Sequence, residues 1–338
     1  MVRSPFLSTP ILSSHPTAAP HRGGRGPEMS HHRFARWLAI AFALAVAAPA
    51  AHAQQSPAAH PTPAGYAGSA SCTDCHAKEA AQFGATSKGQ LFLNHPRNTH
   101  EALGCETCHG PAKQHAESGG DERGGLITFN GKHPSSVADR NATCLQCHEK
   151  TARMLWKGSA HESHDVACSD CHTMMHTESE RSSLKKPSVT ETCGQCHQRE
   201  KAKLTQFAHM PLGQSKMECT SCHNPHGSTG PSLLVASSIN EVCYACHADK
   251  RGPYLWEHEP VVENCANCHD PHGSNHDKML IMSRPRLCQQ CHAGTGHPIQ
   301  PRNPSTPADF QFVFNRQCSN CHFNIHGSNH PSGKAFTR

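Results

Sequence analysis

Cys219-Thr220-Ser221-Cys222-His223-Asn224-Pro225-His226-Gly227 places two thiols and two imidazoles within nine residues. Its first five residues are a Cys-x-x-Cys-His pentapeptide, and the chain repeats that pentapeptide ten times. The motifs begin at Cys72, Cys105, Cys144, Cys168, Cys193, Cys219, Cys243, Cys265, Cys288 and Cys318. Their second thiols are Cys75, Cys108, Cys147, Cys171, Cys196, Cys222, Cys246, Cys268, Cys291 and Cys321, which accounts for all 20 cysteines. This is the attachment signature of c-type haem. Two thiols add across the two vinyl groups of one porphyrin, and the adjacent histidine offers an axial nitrogen to the iron. The proximal histidines are His76, His109, His148, His172, His197, His223, His247, His269, His292 and His322. A structural zinc site would need pairs of Cys-x-x-Cys with histidine only sometimes adjacent. A disulfide framework would show varied spacings. Neither explains ten repeats that all end in histidine, so the reading is ten covalently bound c-type haems.

Haem attachment to cysteine takes place outside the bacterial cytoplasm, which requires export. Arg33 and Arg36 flank a short apolar run at 37–50, and Ala51-His52-Ala53 follows as a cleavage site. Fourteen apolar residues are too few to span a bilayer as a helix. Residues 1–53 therefore read as an N-terminal extension and cleaved signal peptide, with Met29 the natural start of that signal. The Pro-, Ser-, His- and Arg-rich stretch 1–27 is left out of the fold argument. The expected location is the periplasm.

Composition agrees with a cofactor-filled interior. Aromatic residues are 5% of the chain and mean hydropathy is −0.61. The part after residue 53 carries roughly one motif per 28 residues, too little polypeptide for an ordinary core. The porphyrins must supply the apolar interior, and the apoprotein is expected to be largely unfolded. The formal charge of +5 misleads, because five Arg and one Glu lie in the first 53 residues. The haem propionates then make the loaded protein acidic, so the basic balance is no argument for nucleic-acid binding.

The motifs fall into five pairs, whose units begin at Cys72, Cys144, Cys193, Cys243 and Cys288. From the second unit onward the spacing is 49, 50 and 45 residues, and the longer first unit contains a Gly-rich loop at 117–136. One histidine trails each second motif: His115, His176, His226, His272 and His326. Glycine follows three of these, in Pro225-His226-Gly227, Pro271-His272-Gly273 and Ile325-His326-Gly327, and suggests a tight turn that aims the ring. Another histidine lies between the motifs of each unit: His95, His161, His209, His258 and, less regularly, His297. These ten are the candidate distal ligands, one for each haem. His100 could stand in for His95, and His164 for His161. The other histidines after residue 53 are His60, His133, His276 and His330. Segments 150–158 and 198–209 could form short helices. Lys185, Lys186, Lys201 and Lys203 read as solvated charges.

Iron held by two histidines has no open position and can exchange electrons without binding a substrate. The methionines recur at no fixed place in the repeat and read as packing. No motif departs from Cys-x-x-Cys-His, and no nucleophile–base pair is evident. These features describe an electron-transfer protein, not an enzyme. A soluble periplasmic shuttle and a multihaem reductase are the alternatives, the latter requiring a five-coordinate haem.

Ten motifs in doubled units, with Gly104-Cys105-Glu106-Thr107-Cys108-His109-Gly110-Pro111 and the stretch 219–227, resemble the MtrA/DmsE-type decahaem periplasmic cytochromes, relatives of the MtoA and PioA proteins of iron oxidisers. The resemblance runs from about residue 71 to the C-terminus. It implies a multihaem cytochrome c fold: short α-helices and loops around an elongated chain of ten haems, with almost no β-sheet. It also implies a wire inserted in an outer-membrane β-barrel porin. Such a wire links periplasmic or inner-membrane cytochromes to an outer-surface multihaem cytochrome, a mineral or soluble metal. The function it implies is extracellular electron transfer, such as Fe(II) oxidation or metal reduction. The family's two pentahaem halves would here follow a linker at 54–70 and occupy 71–210 and 211–338. That division cuts through the third doubled unit.

Overall fold

The computed structural model describes residues 62–209, 217–292 and 317–337, all of which belong to the unit Gln55–Arg338. The export signal at 1–53, residues 54–61 of the 54–70 linker, the division at 210/211 and His297 lie outside the described residues.

Helices are short and most are tied to a haem motif. The longest, Val137–His148, has 12 residues and ends on the proximal histidine of its own motif. Its start is written in the sequence: the Ser136 side chain accepts the Asp139 N–H, satisfying an otherwise orphan donor. The same device opens Val189–Cys193, through Ser188 and Glu191, and Ile239–Tyr244, through Ser238 and Glu241. A serine cap followed by an acidic third residue thus launches the first motif of the second, third and fourth units. Among the described residues, strand-like pairing is confined to five isolated bridges.

Three of those bridges repeat one construction. His172 pairs with Leu184, His223 with Leu234 and His269 with Leu280. Each closes a loop that leaves the second motif of a unit, carries the trailing histidine three or four residues on and returns to the motif. The other two bridges, Phe207 with Ser274 and Trp256 with Ser328, join one unit to the next.

Side-chain clips hold the two motifs of a unit together. Asn141 Oδ1 accepts the Cys168 N–H at 2.8 Å while its Nδ2 donates to the Val166 carbonyl at 3.1 Å. Asn240 does the same in the fourth unit, accepting from Cys265 at 2.8 Å and donating to the Val261 and Val262 carbonyls. In the first unit Ser69 Oγ accepts the Cys105 N–H at 3.1 Å. Each clip residue sits three positions before the first cysteine of its unit. Glu106, only 2% exposed, accepts the N–H groups of Ala67, Gly68 and Ala112 at 2.8–2.9 Å. A buried carboxylate is tolerable because those three donors replace its water.

Two expected helices are cut back. Segment 150–158 carries a single turn at Thr151–Arg153, opened by a left-handed Thr151, because the chain must bend here to bury Trp156 and present Leu155 to the next unit. Segment 198–209 is helical only over Gln198–Lys203, after which Phe207 leaves to pair with Ser274. Lys203 also departs from its expected role as a solvated charge, since it forms a half-buried ion pair with Asp270.

The protein atoms build no ordinary core. Phe83, Trp156, Val189, Leu204, Leu234 and Leu280 are buried, yet no large side chain among the described residues falls below 2% exposure. Phe207, Met154 and Leu255 stand 59–70% exposed. The interior must therefore come from the attached cofactor. Polypeptide matured without haem should lack a cooperative thermal transition and be cut by protease many times faster than the holoprotein. Equal protection of the two forms would contradict this reading.

Candidate haem-binding site

The twenty cysteines carry no disulfide, and the described residues hold no cluster of three or more His, Cys, Asp or Glu side chains suited to a metal ion. The thiols are instead placed in a two-fold alternation. Within every unit the first cysteines of the two motifs adjoin: Cys72 with Cys105, Cys144 with Cys168, Cys193 with Cys219, Cys243 with Cys265 and Cys288 with Cys318. Between units the second cysteines come close enough to sense each other's charge: Cys108 and Cys147, Cys171 and Cys196, Cys222 and Cys246, Cys268 and Cys291. As free thiols the first pair splits, since a shared hydrogen bond pushes Cys72 up and holds Cys105 down to about 6. Attachment points that follow one another in sequence therefore follow one another in space.

Histidine rings face each other in pairs. His76 stands opposite His115, His172 opposite His226, His197 opposite His161, and His223 opposite His272. His247 faces His209, His269 faces His326 and His292 faces His258. The ring centroids are 6.0–6.5 Å apart in all seven. Two metal–nitrogen bonds of about 2 Å in line, plus about 1.1 Å from each ring nitrogen to its centroid, require roughly 6.2 Å. The separation matches one metal ion held between two imidazoles. Each pair joins a proximal histidine to one from the trailing or between-motif set. Of the alternatives at 161 and 164, His161 faces the proximal ring, while His164 Nδ1 donates to the Ala160 carbonyl at 2.7 Å.

The pairs cross between units. A trailing histidine reaches back to the second motif of the preceding unit, as His226 does to His172. A between-motif histidine reaches forward to the first motif of the next, as His161 does to His197. Among the described residues, His76 and His115 alone share a unit. Glycine makes the joint possible. Gly227 has φ +114, and a Cβ there would overlap the Leu155 carbonyl oxygen. Gly273 and Gly327, at φ +129 and +130, approach Lys203 and Tyr254 as closely.

One ring of most pairs is anchored by a backbone carbonyl. The proximal His109, His172, His223, His269 and His322 donate from Nδ1 to the carbonyls of Ile127, Ser182, Ser232, Lys278 and Ala335 at 2.5–2.9 Å. In the other register the distal ring is anchored, with His161 and His209 donating to the Pro225 and Pro271 carbonyls. His258 faces the Ile325 carbonyl in the same way without reaching hydrogen-bond geometry. A carbonyl only accepts, so the proton stays on Nδ1 and the Nε2 lone pair is free for a metal. Ser182-Ser183, Ser232-Leu233 and Lys278-Met279 are consecutive left-handed residues. Such conformations cost about 1–2 kcal/mol each, a strain localised where the carbonyl is aimed. Burial also pushes His226 and His326 down to about 4, which keeps them neutral and able to coordinate.

The joint between the first and second units differs. Thr177, not glycine, follows His176, and His176 Nε2 lies 3.4 Å from Glu178 Oε1. Neither His176, His95 nor His100 is brought opposite a proximal ring. Reasoning from sequence missed the asparagine clips, Glu106 and the left-handed pairs. Asn at three before Cys144 and Cys243 was a readable signal, whereas Ser-Ser, Ser-Leu and Lys-Met share no pattern.

Covalent attachment motifs and facing imidazoles define a multihaem c-type cytochrome. Family models agree: a doubled CXXCH motif matches residues 209–252 and 258–297, a NrfB-like cytochrome c-type protein matches 105–188, and cytochrome c554 and c-prime matches 31–110. The chain is 43% identical over 276 residues to multihaem cytochrome MtrA of Shewanella baltica, covering 80% of this chain and 81% of the relative. It belongs to the MtrA family of multihaem cytochromes and is an electron-transfer protein, not an enzyme. More distant similarity links it to cytochrome c-type protein NrfB of Haemophilus influenzae, 29% identical over 34% of this chain and 52% of that one. Polyhaem cytochrome OmcB of Geobacter sulfurreducens is 25% identical over 53% of this chain and 25% of that one.

Gly227→Ala should destabilise the holoprotein by more than about 2 kcal/mol, from left-handed strain and the Leu155 clash. That corresponds to a Tm lower by roughly 4–8 °C. An unchanged Tm would contradict the joint geometry. Asn240→Ala should cost about 1–3 kcal/mol by removing the side-chain partners of the Cys265 N–H and of the Val261 and Val262 carbonyls, and urea unfolding checks it.

Proposed function

We propose that the chain carries ten c-type haems, each held between two histidines, and conducts electrons from one end of the haem series to the other. The observation that carries this reading is the set of seven facing imidazole pairs at one-iron separation. The register of those pairs extends to two of the other three motifs, with His95 at the site of His148 and His176 at that of His109. His297, which has no following unit to reach, is left for the site of His322. Haem, when bound, supplies one-electron exchange at iron. The protein's part is to close both axial positions, fix the Nδ1 proton and hold successive attachment points against each other through alternating first and second cysteines. Closed axial positions exclude substrate and leave electron transfer as the available chemistry.

Membership of the MtrA family supports a place in the periplasm, within an outer-membrane porin–cytochrome complex, as a conduit for extracellular electron transfer in Fe(II) oxidation or metal reduction. The partners of this reading are the β-barrel porin, periplasmic or inner-membrane cytochromes and an outer-surface multihaem cytochrome. Residues 71–210 and 211–338 are its two pentahaem halves, behind a 1–53 export signal and a 54–70 linker. Among the described residues no helix is long and apolar enough to cross a membrane. A barrel that surrounds the chain would supply the passage.

His161→Ala should convert one of ten haems to a high-spin ferric signal by EPR and bind about one equivalent of carbon monoxide, with His164→Ala silent in both assays. A silent His161→Ala, or abundant high-spin iron in the parent protein, would contradict closed bis-histidine ligation. Purified outer membranes should retain the cytochrome with a β-barrel after a high-salt wash. Complete release as a soluble monomer would favour a periplasmic shuttle.

A further inference from the structure

The three inter-unit joints whose trailing histidines face a proximal ring are built alike except in charge. The residue two before the trailing histidine is Asn224 in one, Asp270 in the next and Asn324 in the last. Asn224 Oδ1 accepts the His226 N–H, and Asp270 Oδ1 accepts the His272 N–H, both at 3.1 Å. The backbone task is therefore the same, and an amide suffices for it. What the aspartate adds is a negative charge 3.6 Å from His272 Nδ1. It sits only 21% exposed, where solvent screens it weakly. The facing residue has changed with it. The carbonyl that meets the joint glycine belongs to Leu155 at Gly227 but to Lys203 at Gly273. Lys203 Nζ lies 2.5 Å from Asp270 Oδ2, the carboxylate oxygen other than the one nearest the imidazole. Charges reach the other two joints from outside the turn, Arg153 at His226 and Lys250 with Asp249 at His326; at this joint alone of the three the turn itself carries a carboxylate, ion-paired with Lys203 and set against the facing histidine.

We infer that Asp270, compensated by Lys203, sets the haem attached at Cys219 and Cys222 to a lower potential than its counterparts at Cys168 and Cys265. This rests on the proposed ligation by His223 and His272. A carboxylate beside the outer nitrogen of a ligand imidazole makes the inner nitrogen a stronger donor and favours ferric over ferrous iron. Lys203 offsets part of that bias, so the site is tuned and not merely acidic. The positions also make the pair a division in the series: the affected attachment site is the sixth of ten, and a low-potential step there separates the two ends of the wire thermodynamically.

Potentiometric titration of the holoprotein, followed optically and by EPR, tests this. In Asp270→Asn one haem should become about tenfold easier to reduce, a rise of about 59 mV for one electron, with all haems still low-spin. Lys203→Met should move one haem in the opposite direction. Asn224→Asp should lower a different haem, transplanting the effect to the neighbouring joint. His272→Ala should produce one high-spin haem. Superimposable curves for the parent and Asp270→Asn, alongside a high-spin signal in His272→Ala, would remove the tuning role and leave ligation standing. A high-spin signal in Asp270→Asn would show that the aspartate only positions the histidine, and would also overturn the inference. No high-spin signal in His272→Ala would remove the ligation and the tuning together.

Discussion

Two imidazoles held about 6 Å apart, supplied by different units of the repeat, are the constraint on which the rest of the molecule depends. Among the described residues only the first unit pairs two of its own rings, where His115 returns to His76. Every other facing pair borrows a ring from a neighbour. Under the proposed ligation, burial of a haem and association of adjacent units become the same event. The glycine after the trailing histidine, the bridges from Phe207 to Ser274 and from Trp256 to Ser328, and the carbonyls aimed at Nδ1 all hold those rings at that separation. Left-handed strain at Ser232-Leu233 and Lys278-Met279 has the same origin: the cost is borne where a carbonyl must point at a ligand.

The same constraint explains the composition. A conventional domain of this length would bury many large apolar side chains. This one buries few and spends its polar residues on local order: serine caps ahead of the motifs, asparagines that tie one motif to the next, and Glu106 collecting three backbone donors. Such contacts are individually small. They orient cysteines and histidines, and the porphyrins contribute the apolar area that offsets chain entropy.

Much of this was legible in the sequence. Attachment chemistry, the doubled unit, the scarcity of sheet and the Pro-His-Gly turn all follow from local spacing, because covalent attachment forces cysteines and histidine to be neighbours. Pairing was not legible. That His226 serves His172, and His161 serves His197, depends on how units dock, and docking is decided by backbone contacts such as Gly227 on Leu155 that leave no periodic trace. Lys203 read as a solvated charge for the same reason, since its partner Asp270 lies 67 residues away. The shortened helices at 150–158 and 198–209 fail by tertiary override: helix-compatible residues are bent to meet the next unit. His176 shows the limit from the other side, where a histidine in the expected place lacks the following glycine and turns to Glu178.

Iron-edge anomalous scattering from crystals of the haem-loaded protein would test the central claim most directly. The account predicts that the irons follow one another in the order of their motifs, with His226 on the iron attached at Cys168 and Cys171 and His161 on the iron attached at Cys193 and Cys196. Irons whose two histidines both come from their own unit throughout, or whose spatial order departs from the order of the motifs, would contradict it.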